Sequence, residues 1–409
     1  MATMKPPVED PLETVTPDSP PPEGQPPKPN DRIIEWDVED NSFWNGGGSH
    51  TAFRNLAISV PCLLFGFAVW LYWSIIIVQM ENLSFAFSTT QLYTLPAIAG
   101  LAGATLRIPN SFMIAISGGR NVIAVTTALL LLPAAGVGSA LQNPQSSYTT
   151  FVLLAALSGI GGGAFASSMS NISFFFPKRM QGLSLGLNAG LGNVGVSIMQ
   201  ELLPWAMTFA AFGAFSGQPS SLPQELGGGS IWIQNSGLVW VPLLAVFAVL
   251  AFLLMDNLPM HHVGSAPVAI GKMLWLEIMG FVGAIVGILL LLGPSFGVPD
   301  LVKVFLVLAI TISITLLVMR FATPRAVRDN LSHQFVIFEK KTQLGYDLAL
   351  HDDVRIVHRV LCRVSKTDSR RVRDVARRGA QPQLSKPTRL CLARPSGGIT
   401  HSTCRGLAG

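Results

Sequence analysis

Apolar residues along this chain are gathered into long blocks; they do not recur every second position, or every third to fourth, as on a half-buried strand or helix. Eight blocks stand out, at residues 56–80, 92–117, 122–141, 151–176, 183–203, 238–254, 273–292 and 301–319. That length is what a bilayer asks of a spanning helix, since roughly 20 apolar residues cross about 30 Å of hydrocarbon. A helix also satisfies its own backbone hydrogen bonds, as a lipid environment demands. The pattern therefore predicts an all-α polytopic protein with the lipid bilayer as its surroundings. Eight spans place both ends of the membrane part on one side.

The flanks divide the chain further. Residues 1–52 hold ten prolines between positions 6 and 29, with acids among them and no apolar periodicity. Such a segment buries too little surface to offset its ordering entropy and is expected to be a disordered tail. It has no signal-peptide pattern, so the first block is expected to be a retained span. Residues 53–256 hold six of the blocks, and 257–341 form a linker carrying the other two. Residues 342–409 read differently, with no block able to span.

Composition agrees with the blocks. The chain is 49% hydrophobic and only 12% charged, against about 25% charged for an ordinary soluble domain. That excludes a nucleic-acid-binding or disordered chain as the main reading. The net charge of +5 is uneven, because 13 of the 28 Lys and Arg lie in residues 342–409. Within the membrane part, Arg54, Arg120, Lys178, Arg179, Lys272, Arg320, Arg325 and Arg328 fall on one side. The opposite connections are nearly free of them, Lys303 being the exception, able to reach outward to the interface. The positive-inside rule then makes the N-terminus of this multi-pass protein cytoplasmic.

Arg107 lies near the middle of the second block. An arginine at that depth costs about 2.5–3.5 kcal/mol on insertion scales, so it needs a wet or interior setting and a partner. The first six blocks contain no Asp, and their Glu81 and Glu201 sit at span ends. A guanidinium facing a cavity suits a flat, oxygen-bearing anion that its planar fork can grip; the plainer reading is a bond to backbone carbonyls between helices. The fifth block repeats small residues at Gly182, Gly186 and Gly190, continuing to Asn193 and Ser197, with Asn188, Gly192 and Gly195 on another face. Small residues let helices approach closely, while buried amides need partners. The fourth block carries Gly159, Gly161, Gly162 and Gly163, then Phe165 and a polar stripe, and Phe165, Trp73 and Tyr72 could wall a substrate slot or simply pack. No cofactor, metal site or enzymatic arrangement is expected: His261 and His262 lack further ligands, and Cys62 is a lone thiol.

Residues 100–109 (GLAGATLRIP) followed by Gly118, Gly119 and Arg120, residues 170–177 (SNISFFFP), and residues 188–195 (NAGLGNVG) resemble the nitrate/nitrite porters of the major facilitator superfamily. The resemblance covers roughly residues 53–256. It implies a six-helix N-terminal bundle, one half of a twelve-helix transporter, moving nitrate or nitrite by alternating access. It also implies that Arg107 binds the anion, and that Asn193, Asn188, Gly190, Gly192, Gly195, Phe165 and Trp73 line its path. Two features depart from the family pattern. The seventh and eighth blocks look like an added helix pair within the central linker, and the tail after Lys341 is unrelated. Residues 346–360, with chosen synonymous codons and read one nucleotide later, yield MTWLYMTTFGSFIG, an apolar segment resembling the absent family helix; a frameshift is therefore expected there. A chain so truncated is expected to transport poorly by itself. With no carboxylate noted at membrane depth, exchange is easier to motivate than proton symport. A non-transporting partner of another membrane bundle, or a transporter of another small anion, are the competing readings.

Overall fold

The structure, a computed structural model, describes residues 36–83, 85–224, 228–259, 265–294, 297, 299–324 and 327. The Pro-rich segment before Trp36, the pair His261 and His262, and the basic tail with its expected frame change lie outside the described residues.

A short helix α1 (Asn41–Phe43) runs through a π-helical turn, Trp44–Gly48, into α2 (Ser49–Leu71) and then α3 (Trp73–Asn82). Next come α4 (Thr89–Ser117), α5 (Gly119–Leu129) with α6 (Leu131–Ala140), α7 (Tyr148–Phe175) and α8 (Lys178–Ala206). A long connection holds a two-stranded antiparallel ribbon, β1 (Ser220–Ser221) and β2 (Ser230–Ile231), with Ser220 opposite Ile231. The chain continues as α9 (Asn235–Leu238), α10 (Trp240–Leu254), α11 (Ala266–Leu292) and α12 (Asp300–Phe321).

Among the described residues, six segments are long and apolar enough to cross a membrane: Asn41–Asn82, Gly119–Ala140, Tyr148–Phe175, Asn235–Leu254, Ala266–Leu292 and Asp300–Phe321. The protein is thus an all-α polytopic membrane protein. The other two expected spans are also helices, α4 and α8, each 29 residues long. At 1.5 Å per residue either reaches about 43 Å, enough to cross. Threonine, glycine, asparagine and Arg107 dilute their apolar character, and these are the two helices whose chemistry the sequence singled out.

Local signals explain where the helices begin and end. Ser88 caps α4 by accepting from the Gln91 amide at 3.2 Å while its own amide donates to Gln91 Oε1 at 2.9 Å, a reciprocal capping box. At the other end Gly118, with φ of 77°, turns the chain into α5, a backbone geometry that a Cβ disfavours. Gly119 sits against the Asn171 side chain of α7, where an added Cβ would overlap the amide oxygen. The Gly118–Gly119 pair therefore joins a positive φ to a close approach. α8 begins after Pro177, and its first amide, Lys178 N, donates to Glu39 Oε1 at 2.8 Å, an acid placed where the helix dipole favours one.

The core lies where α2, α4 and α7 meet, with Trp73, Ile76, Leu95, Ile98, Leu106, Phe151 and Ile160 at 2% exposure or less. α8 packs on α2, and α10 on α2 and α5. At the end carrying the basic loops, Arg54 Nη2 meets Asp256 Oδ2 at 2.5 Å, and the buried Asn55 exchanges bonds with Asp256 through Nδ2 (3.2 Å) and Oδ1 (3.0 Å). This ties the start of α2 to the end of α10. α11 packs on α4, and α12 packs on α11. Lys303, the basic residue on the otherwise uncharged side, donates from Nζ to the carbonyls of Leu291 (3.0 Å) and Gly293 (2.7 Å). It caps the C-terminal end of α11, whose last carbonyls lack helical partners.

Candidate functional site

A membrane helix tolerates an arginine at mid-length only with support, and the neighbours of α4 supply it to Arg107. Its Nε donates to the Gly162 carbonyl of α7 at 3.1 Å. Its guanidinium carbon lies 5.0 Å from the Phe165 ring centre and 5.6 Å from that of Trp70. Cation–π contact of this kind is worth about 0.5–2 kcal/mol, more where water is scarce. Arg107 is only half-buried. Its side-chain bond uses Nε, so this bond does not engage the two terminal nitrogens of the fork.

Two glycines shape this arrangement. A Cβ on Gly103 of α4 would lie 2.5 Å from Trp70 Nε1, and one on Gly162 would lie 2.6 Å from Trp70 Cε2. The indole of Trp70 therefore lies flat across the α4–α7 crossing, and its Nε1 donates to the Ala99 carbonyl at 2.7 Å. Phe67, one turn earlier on α2, stacks on Phe165 at 5.8 Å and lies 5.9 Å from Trp70. Three rings and one guanidinium thus form a continuous aromatic and cationic wall contributed by α2, α4 and α7.

Of the residues expected to line the path, Arg107 and Phe165 come together here. Trp73 does not belong to this wall: it is fully buried, and its Nε1 donates to Ser158 Oγ at 2.9 Å. Tyr72 is likewise in the core, its hydroxyl donating to the Pro133 carbonyl at 3.2 Å. Trp70, three positions before Trp73, takes the place against Arg107. The signal that could have found it is the pair of glycines, Gly103 and Gly162, that an indole fills.

The α8 residues divide between two faces. Asn188 is buried, donating to Ser168 Oγ at 2.9 Å, and Ser168 bonds Ser59 at 2.9 Å, so the amide links α8, α7 and α2. A small cavity lined by Ser59, Cys62, Thr126, Thr127 and Ser168 adjoins this chain of bonds, and Asn188 Oδ1 is left without a partner. Gly192 and Gly195 face α2, where added Cβ atoms would press on Leu63 and on the Leu64 carbonyl. Gly190 meets nothing within 4 Å. Asn193 is exposed and folds back to donate to the Ala189 carbonyl at 3.0 Å.

A further polar residue escaped the sequence reading. Glu277, on α11, is 3% exposed, and its Oε2 accepts from Asn110 Nδ2 at 3.1 Å. Asn110 lies on α4 just beyond Arg107, and its Oδ1 accepts from Ser167 Oγ of α7 at 3.1 Å. The expectation that no carboxylate lies at membrane depth is thus overturned, by an acid in the seventh block and not in the six that surround Arg107 in sequence. A lone acid in the apolar run 273–292 was the available signal.

No family model matches the chain. Over 247 residues, 60% of this chain and 53% of the relative, it is 42% identical to the nitrate/nitrite transporter NarU of Escherichia coli. This chain is similar to nitrate/nitrite transporters. It is also 42% identical over 230 residues to the probable nitrate/nitrite antiporter NarK2 of Thermus thermophilus, covering 56% of this chain and 51% of that protein. A more distant relative, the probable nitrate transporter NarT of Staphylococcus carnosus, is 27% identical over 203 residues, 49% of this chain and 45% of that one. The chain spans about half the length of the curated relatives it matches.

Proposed function

We propose that this chain supplies one six-helix half of a pathway that moves nitrate or nitrite across the cell membrane by alternating access. The observation that carries the reading is Arg107: a guanidinium at mid-helix, flanked by Trp70 and Phe165, anchored through Nε alone and presenting its fork to a planar anion. Similarity to transporters and antiporters of nitrate and nitrite supports the choice of anion. The basic residues at the ends of α2, α5, α8 and α11 support a cytoplasmic N-terminus.

α8 bears on how the pathway would be completed. Gly182, Gly186 and Gly190 have open space where a Cβ would go, and Leu183, Leu191 and Val194 are exposed on the same helix. A second bundle seated there would close the path and bring Asn193 and Gly190 to face the anion. The chain on its own therefore binds anion weakly and transports little. The same open face also favours a second reading, in which the chain is a non-transporting partner of a complete porter.

Reconstitution into proteoliposomes tests these readings. Nitrate or nitrite that binds the wild-type chain, and binds Arg107→Lys at least about tenfold more weakly, supports the anion site, because an ammonium cannot reproduce the bidentate fork. Equal binding by both would sink it. Vigorous flux from the 409-residue chain alone would overturn the need for a second bundle.

A further inference from the structure

We propose that Glu277 is a proton-binding site, and that its proton is linked to anion binding at Arg107. The linkage rests on the function proposed above; the proton site does not.

Glu277 lies twelve residues into the 27-residue helix α11. Its carboxyl is enclosed, with one bond, from Asn110, to Oε2 and no partner for Oε1. The same two helices, α4 and α11, contribute Met113, Ile114, Met273, Leu276 and Met279 to one buried apolar cluster. Gly280, three positions on, lets α11 press against Leu106 and Pro109 of α4, where an added Cβ would lie 2.8 Å from each side chain. An ionised carboxylate in such a place loses its hydration and gains one neutral amide in return, so it takes up a proton instead.

The charged and titratable groups on the packed elements do not relieve it. α4 carries Tyr93 and Arg107, α5 carries Arg120, α12 carries Asp300, Lys303 and Arg320, and α11 itself carries Lys272. Lys303 is committed to the carbonyls of Leu291 and Gly293, and Arg107 to that of Gly162. Among the described residues none of these groups is bonded to Glu277, whose one partner there is Asn110.

The same bonds connect Glu277 to the anion wall. Asn110 follows Arg107 by three positions on α4, and Ser167, its partner on α7, follows Phe165 by two. The reaction is simple: a carboxylate and one proton from water give the neutral acid. A neutral Glu277 adds no negative charge near a bound anion, whereas the ionised form repels it across a poorly screened interior. Anion binding therefore favours the protonated acid, and the protonated acid favours the anion by the same factor.

The experiment uses the full chain in lipid nanodiscs, comparing wild type with the isosteric Glu277→Gln. Difference infrared spectra are recorded between about pH 5 and about pH 9, a range that spans ordinary and strongly displaced carboxyl titrations. A protonated-carboxyl C=O band present in wild type and lost in Glu277→Gln supports the site, and identical spectra overturn it, whether or not nitrate binds. Nitrate is then added to weakly buffered protein with a pH dye. Wild type is expected to take up protons and to lose about fivefold in nitrate affinity as pH rises, while Glu277→Gln does neither. Nitrate binding with equal proton uptake by both proteins overturns the linkage. If nitrate binds neither protein, the linkage falls with the functional reading, and the infrared result still decides the proton site.

Discussion

α4 and α8 are alike in length and in their mixture of glycine and polar residues, yet the structure uses them in opposite ways. On α4 Gly103 is filled by the Trp70 indole, and Leu106 and Pro109 pack on Gly280 of α11, while Gly100 has open space beside it. On α8 one stripe, Gly192 and Gly195, is pressed against α2, while Gly182, Gly186 and Gly190 meet nothing among the described residues. Sequence spacing reveals a stripe of small residues, and only the neighbour determines whether the stripe is packing or an open docking face. α4 holds a charge in place around its filled glycine, and α8 leaves a whole stripe of three open.

The largest expected effect separates the charge on α4 from the amide on α8. Arg107→Ala should abolish nitrate binding, a loss of about a hundredfold or more, since hydrogen bonds to a charged donor are worth about 1.5–3 kcal/mol each. Asn193→Ala should change the isolated chain's affinity by less than about twofold, because its amide is folded onto the Ala189 carbonyl and surface changes of this kind are nearly neutral. Isothermal titration of the two variants side by side would reveal a reversed order.

Packing gives the next contrast. Gly103→Val forces the Trp70 indole from its slot and should cost about 1–3 kcal/mol, read as a lower unfolding temperature in detergent. Gly186→Val, with open space around it, should move that temperature little, within about 0.5 kcal/mol, while weakening association with a second bundle in a pull-down. A Gly186→Val chain that unfolds as readily as Gly103→Val would mean that the α8 stripe is already covered.

The buried face of α8 can be probed through Asn188. Asn188→Ala removes the amide's bond to Ser168 while leaving the Ser168–Ser59 bond, and should cost about 1 kcal/mol, measured by the same unfolding assay. The smallest contrast is at the helix starts. Ser88→Ala removes the capping box of α4, worth about 1 kcal/mol, whereas Glu39→Ala at the start of α8 should cost only about 0.3–1 kcal/mol. A larger loss at Glu39 would mean that the segment around Trp36, whose indole bonds the Phe174 carbonyl, does more than satisfy one amide.

Much of the fold was legible because the bilayer imposes a coarse rule: an apolar run of spanning length becomes a helix, and all eight runs did. Arg107 was legible for the same reason, as a charge that the rule forbids. Trp70 was not, because choosing between it and Trp73 requires knowing which side of α2 meets α4, and both lie in the same apolar run. The spacing of the glycine-rich motif puts Asn188 and Asn193 on different faces of α8, but which face turns inward depends on the neighbours, and it is that of Asn188. Glu277 stands alone in its apolar run, and its meaning depends on Asn110, 167 positions earlier.

Lys303 has a consequence for how the molecule is made. By binding the carbonyls of Leu291 and Gly293, it fastens the start of α12 to the end of α11 within a few residues of chain. The two helices can thus enter the membrane together, as a preformed hairpin, late in synthesis. Glu277 must ride inward on that hairpin before it finds its amide. The order of the gene, with Asn110 translated and inserted long before Glu277, means that the receptor for the buried acid is in place when the acid arrives.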